Sequence, residues 1–304
     1  MFPVQNRREF LGTLVLGLAA AQGYARASQI ASSNLTENLT LITGAGGNIV
    51  VLNQPDGLLL VNGSRPEMAG ELMKFLSDQF KGQPVKALFN TDWHLDHTGS
   101  NEIFKKGGAK IYAHENTKLW IGADFYSDWE KRAYKPRPKE ALPTDTFYTS
   151  DKMTFGKEPI EYGYMPQAHT DGDIYVFFRA QNVLVTGDVM SVGEYPVLDY
   201  VTGGWIGGLQ NGLKDLLKVG NENTRVVPGT GPVLTRADIQ AEADMANTMR
   251  DRLVKLMRQG MGPSDMIAAK PTEDYDAKWG KPELFIRNAY RGMWGHVREL
   301  GNIV

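Results

Sequence analysis

The sequence predicts a mixed α/β fold in which two β-sheets pack face to face with helices outside. Three observations carry that expectation. Residues 39–43, 48–53 and 57–62 are short apolar runs separated by glycine-containing turns, the pattern of consecutive antiparallel strands. A strand-then-helix alternation occurs before residue 130 and again after residue 145, and two such modules can bury their apolar faces by stacking sheet on sheet. A long amphipathic stretch from Thr235 to Gln259 adds a helix with one buried side.

After the first three strands, residues 66–80 place Met68, Leu72, Phe75, Leu76 and Phe80 on a helical stripe. Residues 85–90 predict a strand, 100–106 a helix start, 109–113 a strand, and 115–130 a polar-aromatic helix. Pro136, Pro138 and Pro143 mark a loop over 135–143. Strands follow at 146–149, 152–155, 160–165, 174–179 and 182–186, then a helix at 207–219 and a strand at 225–227. Thr235 caps the long helix, whose buried side carries Ile239, Ala243, Ala246, Met249, Leu253 and Leu256, and a last helix covers 283–300. Residues 34–234 are thus expected to form the main domain, with 235–304 packed on it as helices. The methionines of that region, Met245, Met249 and Met257 among them, read as core.

The composition narrows the function classes. The 304 residues hold 33 Lys and Arg against 35 Asp and Glu, a net charge of -2, so no basic field exists to hold nucleic acid. There is no cysteine, which removes disulfides, thiolate metal ligands and cysteine nucleophiles together. The N-terminus has the three parts of an export leader: Arg7-Arg8, an apolar run over 11–21, and the small-residue exit Ala25-Arg26-Ala27. That run falls well short of the ~20 residues a membrane-spanning helix needs. The paired arginines before Glu9-Phe10-Leu11 look like a twin-arginine signal. Residues 1–27 are therefore expected to be removed after passage through the twin-arginine export machinery. The result would be a periplasmic protein with no stable membrane anchor.

Only five histidines are present, and two lie in one short segment. Directly after the strand at 85–90 comes Thr91-Asp92-Trp93-His94-Leu95-Asp96-His97-Thr98-Gly99. Asp92 and His94 are two apart and point the same way in extended chain, whereas a turn at Asp96-His97 can aim that pair elsewhere. His169 and Asp188 each stand at the end of a later strand. Imidazoles and carboxylates gathered at strand ends without cysteine suit zinc, iron or manganese. His94, Asp96 and His97 alone also fit a hydrogen-bonded polar turn; His169 and Asp188 tip the reading to a metal. His114 reads as structural, His296 as packing or surface, and Asp171 and Asp173 as shaping the turn after His169. Gly44-Ala45-Gly46-Gly47 reads as a hairpin turn, because no Lys-Ser/Thr pair follows to make a phosphate cradle.

Asp92-x-His94-x-Asp96-His97, then His169, Gly187-Asp188 and Pro228-Gly229-Thr230-Gly231-Pro232, resemble in order the motifs of the metallo-β-lactamase superfamily. The resemblance spans about 39–235. It implies an αββα four-layer sandwich with a two-metal site at one edge of the sheets, here with a C-terminal helical extension. Asp92 and Thr230 stand where the family has histidines, and Asn62 where it has an aspartate. Carried over, His94 and His169 hold a first metal, with Asp92 as a substitute ligand. Asp96 and His97 hold a second, and Asp188 bridges. The resemblance implies one or two zinc ions, with iron or manganese as alternatives. The implied activity is hydrolysis of a small-molecule ester, lactone, thioester or amide by hydroxide generated at the metal, with Asp96 orienting it or shuttling a proton. Trp93, Tyr195, Tyr200 and Trp205 are the expected substrate wall. Two other readings stand beside this one. The altered Asp92, Thr230 and Asn62 fit a pseudoenzyme that keeps the sandwich as a binding module. His94, His169 and Asp188 also match the two-His, one-carboxylate face of mononuclear iron oxidoreductases.

Overall fold

A computed structural model describes residues 30–301; the leader and its cleavage site lie outside the described residues. The first sheet has seven strands in the order β1 (Ala31–Asn34), β2 (Leu39–Thr43), β3 (Ile49–Gln54), β4 (Gly57–Val61), β5 (Val85–Phe89), β6 (Lys110–His114) and β9 (Asp145–Phe147). β1 to β4 form an antiparallel meander, and β4, β5, β6 and β9 run parallel. The second sheet holds β10 (Ser150–Phe155), β11 (Glu158–Tyr164), β12 (Ile174–Phe178), β13 (Val183–Gly187) and β14 (Arg225–Pro228). Its last pair is parallel and the others antiparallel.

Alternation along the strands builds the layers. Val50 and Leu52 of β3 point between the sheets, where they meet Val176, Phe178 and Val185 of the second sheet. Their neighbours Ile49 and Val51 point outward, against Leu72 and Leu76 of helix α1 (Ala69–Gln79). Such alternation is what a strand buried on both faces requires. Two short helices follow β5, α2 (Leu95–Thr98) and α3 (Asn101–Lys106), and α4 (Glu115–Ile121) follows β6. On the far side, Phe177, Leu184 and Val226 of the second sheet share one core with α5 (Ile206–Leu216), α6 (Arg236–Arg258) and α9 (Glu283–Gly295). The layers are thus helix, sheet, sheet, helix, and the C-terminal helices belong to the same core as α5. Two further short helices, α7 (Pro263–Ala268) and α8 (Asp276–Trp279), join α6 to α9.

Three expected elements differ. The helix over 115–130 stops at Ile121, where the Gly122 N–H bonds Lys118 and Leu119 carbonyls. The aromatic stretch beyond folds instead as a small hairpin, β7 (Phe125–Ser127) with β8 (Arg132–Tyr134). The last helix ends at Gly295 rather than 300. The strand near 146 joins the first sheet beside β6. Among the described residues no helix is long and apolar enough to cross a membrane.

Candidate metal centre

Because β4 and β5 run parallel, as do β13 and β14, their C-terminal ends open on one edge of the sandwich, the place where α/β folds gather functional loops. Asn62 follows β4, the Asp92–His97 segment follows β5, Asp188 follows β13 and Thr230 follows β14. His169 lies in the connection from β11 to β12, which leads onto the same edge. Two groups of side chains result. One ligand atom from each of His94, His169 and Asp188 lies within 4.8 Å of the others, and the same holds for Asp92, His97 and Asp188. His94 Nδ1 and His169 Nε2 are 3.3 Å apart. Asp188 sends one oxygen to 3.7 Å from His169 Nε2 and the other to 3.7 Å from His97 Nε2, so its carboxylate faces both groups.

His169 and His97 are each oriented by a second partner, which is how metal-binding histidines are held, whereas His94 Nδ1 lies 3.3 Å from both Asp92 Oδ1 and His169 Nε2. The His169 Nδ1–H donates to the Val197 carbonyl at 2.8 Å, which leaves Nε2 facing inward. Its backbone N–H donates to Asp173 at 2.6 Å, and Thr170 donates to the same carboxyl. Burial lifts that Asp173 carboxyl to about 7. The His97 Nδ1–H donates to Asp92 Oδ2 at 2.7 Å. The other oxygen of Asp92 accepts the His94 backbone N–H at 2.8 Å. Burial works to raise the Asp92 carboxyl, but the His97 and His94 charges and hydrogen bonds overcome it and hold it well below the usual carboxylate range. Burial likewise opposes charge on His94, yet Asp92, Asp199 and Asp188 win and bring its imidazole up to about 9. His97 is raised for the same reason, chiefly by Asp92 and Asp188. Burial, with the Asp92 charge behind it, moves the Asp188 carboxyl up against the pull of His97 and His169. The carboxylates around these rings favour positive charge, which protons supply on the imidazoles and a divalent cation can supply in their place.

Two glycines let the backbone approach this centre. A Cβ on Gly229 would stand 1.8 Å from Asp188 Oδ1, and one on Gly47 would stand 2.6 Å from the Gly229 carbonyl and 3.3 Å from His97 Nε2. Asn48 locks the two loops together: its N–H donates to the Gly229 carbonyl, and its Nδ2 to the carbonyls of Pro228 and Gly231. The turn at Gly44–Gly47, which the sequence marks as a connector, is therefore also a wall of the centre.

The first group fits a cation. Donors bound at about 2.0–2.2 Å in a tetrahedron stand roughly 3.3–3.6 Å from one another, close to the separations of His94, His169 and Asp188. Outside this group, His94 Nε2 on the Asp199 side and His97 Nε2 facing Asp188 are buried without a hydrogen-bond partner, which buried polar nitrogens rarely tolerate. The second group fits less well, because both Asp92 oxygens already accept hydrogen bonds. Asp92 lies against both rings: Oδ2 accepts the His97 Nδ1–H, and Oδ1 is 3.3 Å from His94 Nδ1 while accepting the His94 N–H, so it acts as a partner that orients the two imidazoles. Asp96 belongs to neither group; it lines the cavity above them.

That cavity has a volume of about 260 Å³ and is walled by His94, Asp96, His169, Asp188, Tyr195 and Thr230 together with Trp129, Glu130 and Glu194. Of the expected substrate wall, only Tyr195 reaches it. Trp93 is 2% exposed and stacks behind His94 at 4.1 Å, with its N–H on Thr202. Trp205 stacks on His296 inside the helical core. Tyr200 donates to the Asp128 carboxylate and does not line the cavity. Asn62, with a left-handed φ of 66°, accepts from the Thr91 N–H and hydroxyl, and Thr91 in turn touches Asp92 and His97. Sequence reasoning missed Asp199, which is fully buried, accepts the Trp129 N–H at 2.8 Å and lies 3.8 Å from His94 Nε2. It also missed Trp129 and Glu130, whose only signal is an aromatic, acidic stretch that suits a helix equally well.

Residues 42–251 match the family model of the metallo-β-lactamase superfamily. A metallo-β-lactamase type 2 from Bacillus sp. (strain 170) is 24% identical over 213 residues, covering 67% of this chain and 77% of the relative. One from Elizabethkingia meningoseptica is 22% identical over 250 residues, covering 79% and 94%. Among solved structures, a metallo-β-lactamase from Pontibacter korlensis superposes with a TM-score of 0.59 at 18% identity, over 72% of this chain and 99% of that one.

Proposed function

The chain belongs to the metallo-β-lactamase superfamily, and from that premise we propose that it is an exported, periplasmic metal-dependent hydrolase of esters, lactones, thioesters or amides. The observation that carries this reading is the convergence of His94 Nδ1, His169 Nε2 and Asp188 on one point at the floor of a cavity. These three would hold one zinc ion, with iron or manganese as alternatives. When bound, such a cation polarises a carbonyl oxygen and lowers the pKa of water from 15.7 to about 7.

The chain's own residues supply the rest. Val197 and Asp173 hold His169 with Nε2 turned toward His94 Nδ1. Asp92 holds His97 so that its Nε2 faces the Asp188 carboxylate. Asp96 takes no hydrogen bond among the described residues and lines the cavity, so it is free to receive a proton from the attacking water and return it to the leaving group. Thr230 offers a hydroxyl at the mouth in place of a histidine. The Arg7-Arg8 leader supports export of the protein already folded.

Elemental analysis of the purified protein tests this: about one equivalent of metal per chain is expected. His94→Ala is expected to lose both that metal and ester turnover. Protein that takes up no metal when offered zinc, manganese or iron would leave the hydrolase reading without support.

A further inference from the structure

The chain from Asp188 to Asp199 contains neither helix nor strand, yet it carries much of the metal centre. It begins with Asp188, and near its other end the Val197 carbonyl accepts the His169 Nδ1–H at 2.8 Å. Its last residue, Asp199, donates its backbone N–H to the His169 carbonyl at 2.9 Å and lies 3.8 Å from His94 Nε2. One segment thus supplies or adjoins all three members of the His94, His169 and Asp188 group. It does not hold itself: among the described residues, no backbone N–H from Val189 to Leu198 finds a backbone partner. Its shape is therefore imposed by what packs on it.

What packs on it is the C-terminal part of the chain. Glu242 of α6 accepts the Ser191 N–H. Four residues on, the Tyr195 side chain is buried, and its hydroxyl donates to Asp276 Oδ1 at 2.8 Å with the Thr272 carbonyl at 3.3 Å. Its ring stacks on Phe285 of α9, with centroids 5.1 Å apart and the planes 18° from parallel. Asp276, Thr272 and Phe285 all lie beyond residue 251, where the match to the family model ends, so this anchor comes from outside the matched part of the chain. Only Pro196 separates Tyr195 from Val197. A proline ring fixes φ, which makes that link stiff: where Tyr195 is held, the carbonyl that orients His169 is held too.

We propose that Tyr195 is a positioning residue for the metal centre: anchored by the C-terminal helices, it fixes the Val197 carbonyl and so keeps His169 Nε2 turned toward His94 Nδ1 and Asp188. The role rests on the proposed metal site, although the hold on the ring can be read without metal. Zinc affinity of the full chain, measured by competition with a chromophoric chelator, is expected to weaken by about tenfold in Tyr195→Phe and in Asp276→Ala, the lower end of what loss of a ligand's outer partner costs. Asp276→Asn keeps an acceptor for the hydroxyl and should bind zinc as the parent does. Combining Tyr195→Phe with Asp276→Ala should cost no more than either alone, because both cut one link. Arg252→Ala breaks the Arg252–Asp274 pair on the same connection without touching Tyr195, and it should lose stability without losing zinc affinity. In the metal-free parent, imidazole nitrogen NMR should show His169 as the Nδ1–H tautomer, and in Tyr195→Phe and Asp276→Ala a mixture of both tautomers. An unchanged tautomer in both variants overturns the positioning role; metal uptake by the parent then leaves the hydrolase reading standing. A tautomer that changes while zinc affinity holds overturns the role at the metal. A parent that takes up no zinc, manganese or iron, with a tautomer that still depends on Tyr195, supports the hold on His169 and overturns the hydrolase reading. No uptake together with an unchanged tautomer overturns both.

Discussion

Asp92 divides its two oxygens between the His97 ring on one side and the backbone amide and ring of His94 on the other. Oδ2 accepts the His97 Nδ1–H at 2.7 Å, and Oδ1 accepts the His94 N–H at 2.8 Å. An imidazole at that position could not accept both, so the carboxylate changes how the segment is held as well as which ligands it offers. Asp92→Asn leaves the His97 imidazolium without its charge partner in a fully buried place. Removing one member of a buried pair costs about 3–5 kcal/mol, and urea unfolding at pH 7 is expected to show a loss of that order. A loss under about 1 kcal/mol would mean that the pair contributes little beyond an ordinary hydrogen bond. That Asp92 is unusual is plain in the sequence; which rings it meets is not. The answer depends on the turn at 94–97 swinging His97 back towards Thr91, and residue spacing alone does not specify that turn.

At the scale of elements, α6 shows how local signals and packing agree. Asp238 reaches back to accept the Thr235 N–H and hydroxyl at 2.8 and 2.7 Å, satisfying a donor that the first helical turn leaves open. Met249, on the opposite face from the solvent, is fully buried among α5, α6 and α9 side chains. Met249→Ala is expected to cost about 2–5 kcal/mol through lost burial and the space left behind. Asp238→Ala is expected to cost only ~1 kcal/mol. Thermal unfolding of the two variants should keep that order, and a larger loss for Asp238→Ala would show that the cap, not the core, anchors the helix. Over 115–130 local signals and packing disagree, because the hairpin of β7 and β8 packs its aromatics on one another and on Trp93. Tertiary contact there outweighs helical preference, as it often does.

Across the whole molecule, Glu242 ties the C-terminal helices to the loop that walls the cavity. It is fully buried on α6 and accepts the Ser191 N–H with both oxygens, at 3.2 and 3.0 Å. Burial lifts its carboxyl to about 8, against the pull of those bonds and of Lys278. The folded protein therefore keeps a proton that the unfolded chain has lost above about 4.5. Stability from this group is present at low pH and falls as pH rises through the window from about 4.5 to about 8. Glu242→Gln keeps an acceptor for Ser191 without the charge. It should stabilise the protein at pH 8 by a few kcal/mol, because each pH unit of that window costs the parent about 1.4 kcal/mol. At pH 5 it should have little effect. An equal difference between variant and parent at both pH values would show that Glu242 does not titrate on unfolding.

By itself the sequence determined the layered α/β fold, because strands buried on both faces and amphipathic helices write their period into the chain. It also determined that the histidine and aspartate motifs lie at strand ends. Only the tertiary structure decided which of these side chains share a point in space. The grouping of His94 with His169 and Asp188, the pairing of Asp92 with His97, and the retreat of Trp93, Tyr200 and Trp205 from the cavity all join segments far apart in the chain or turn on loop geometry. Backbone period governs the strands and helices, but loops carry none, so long-range packing alone sets where their side chains point.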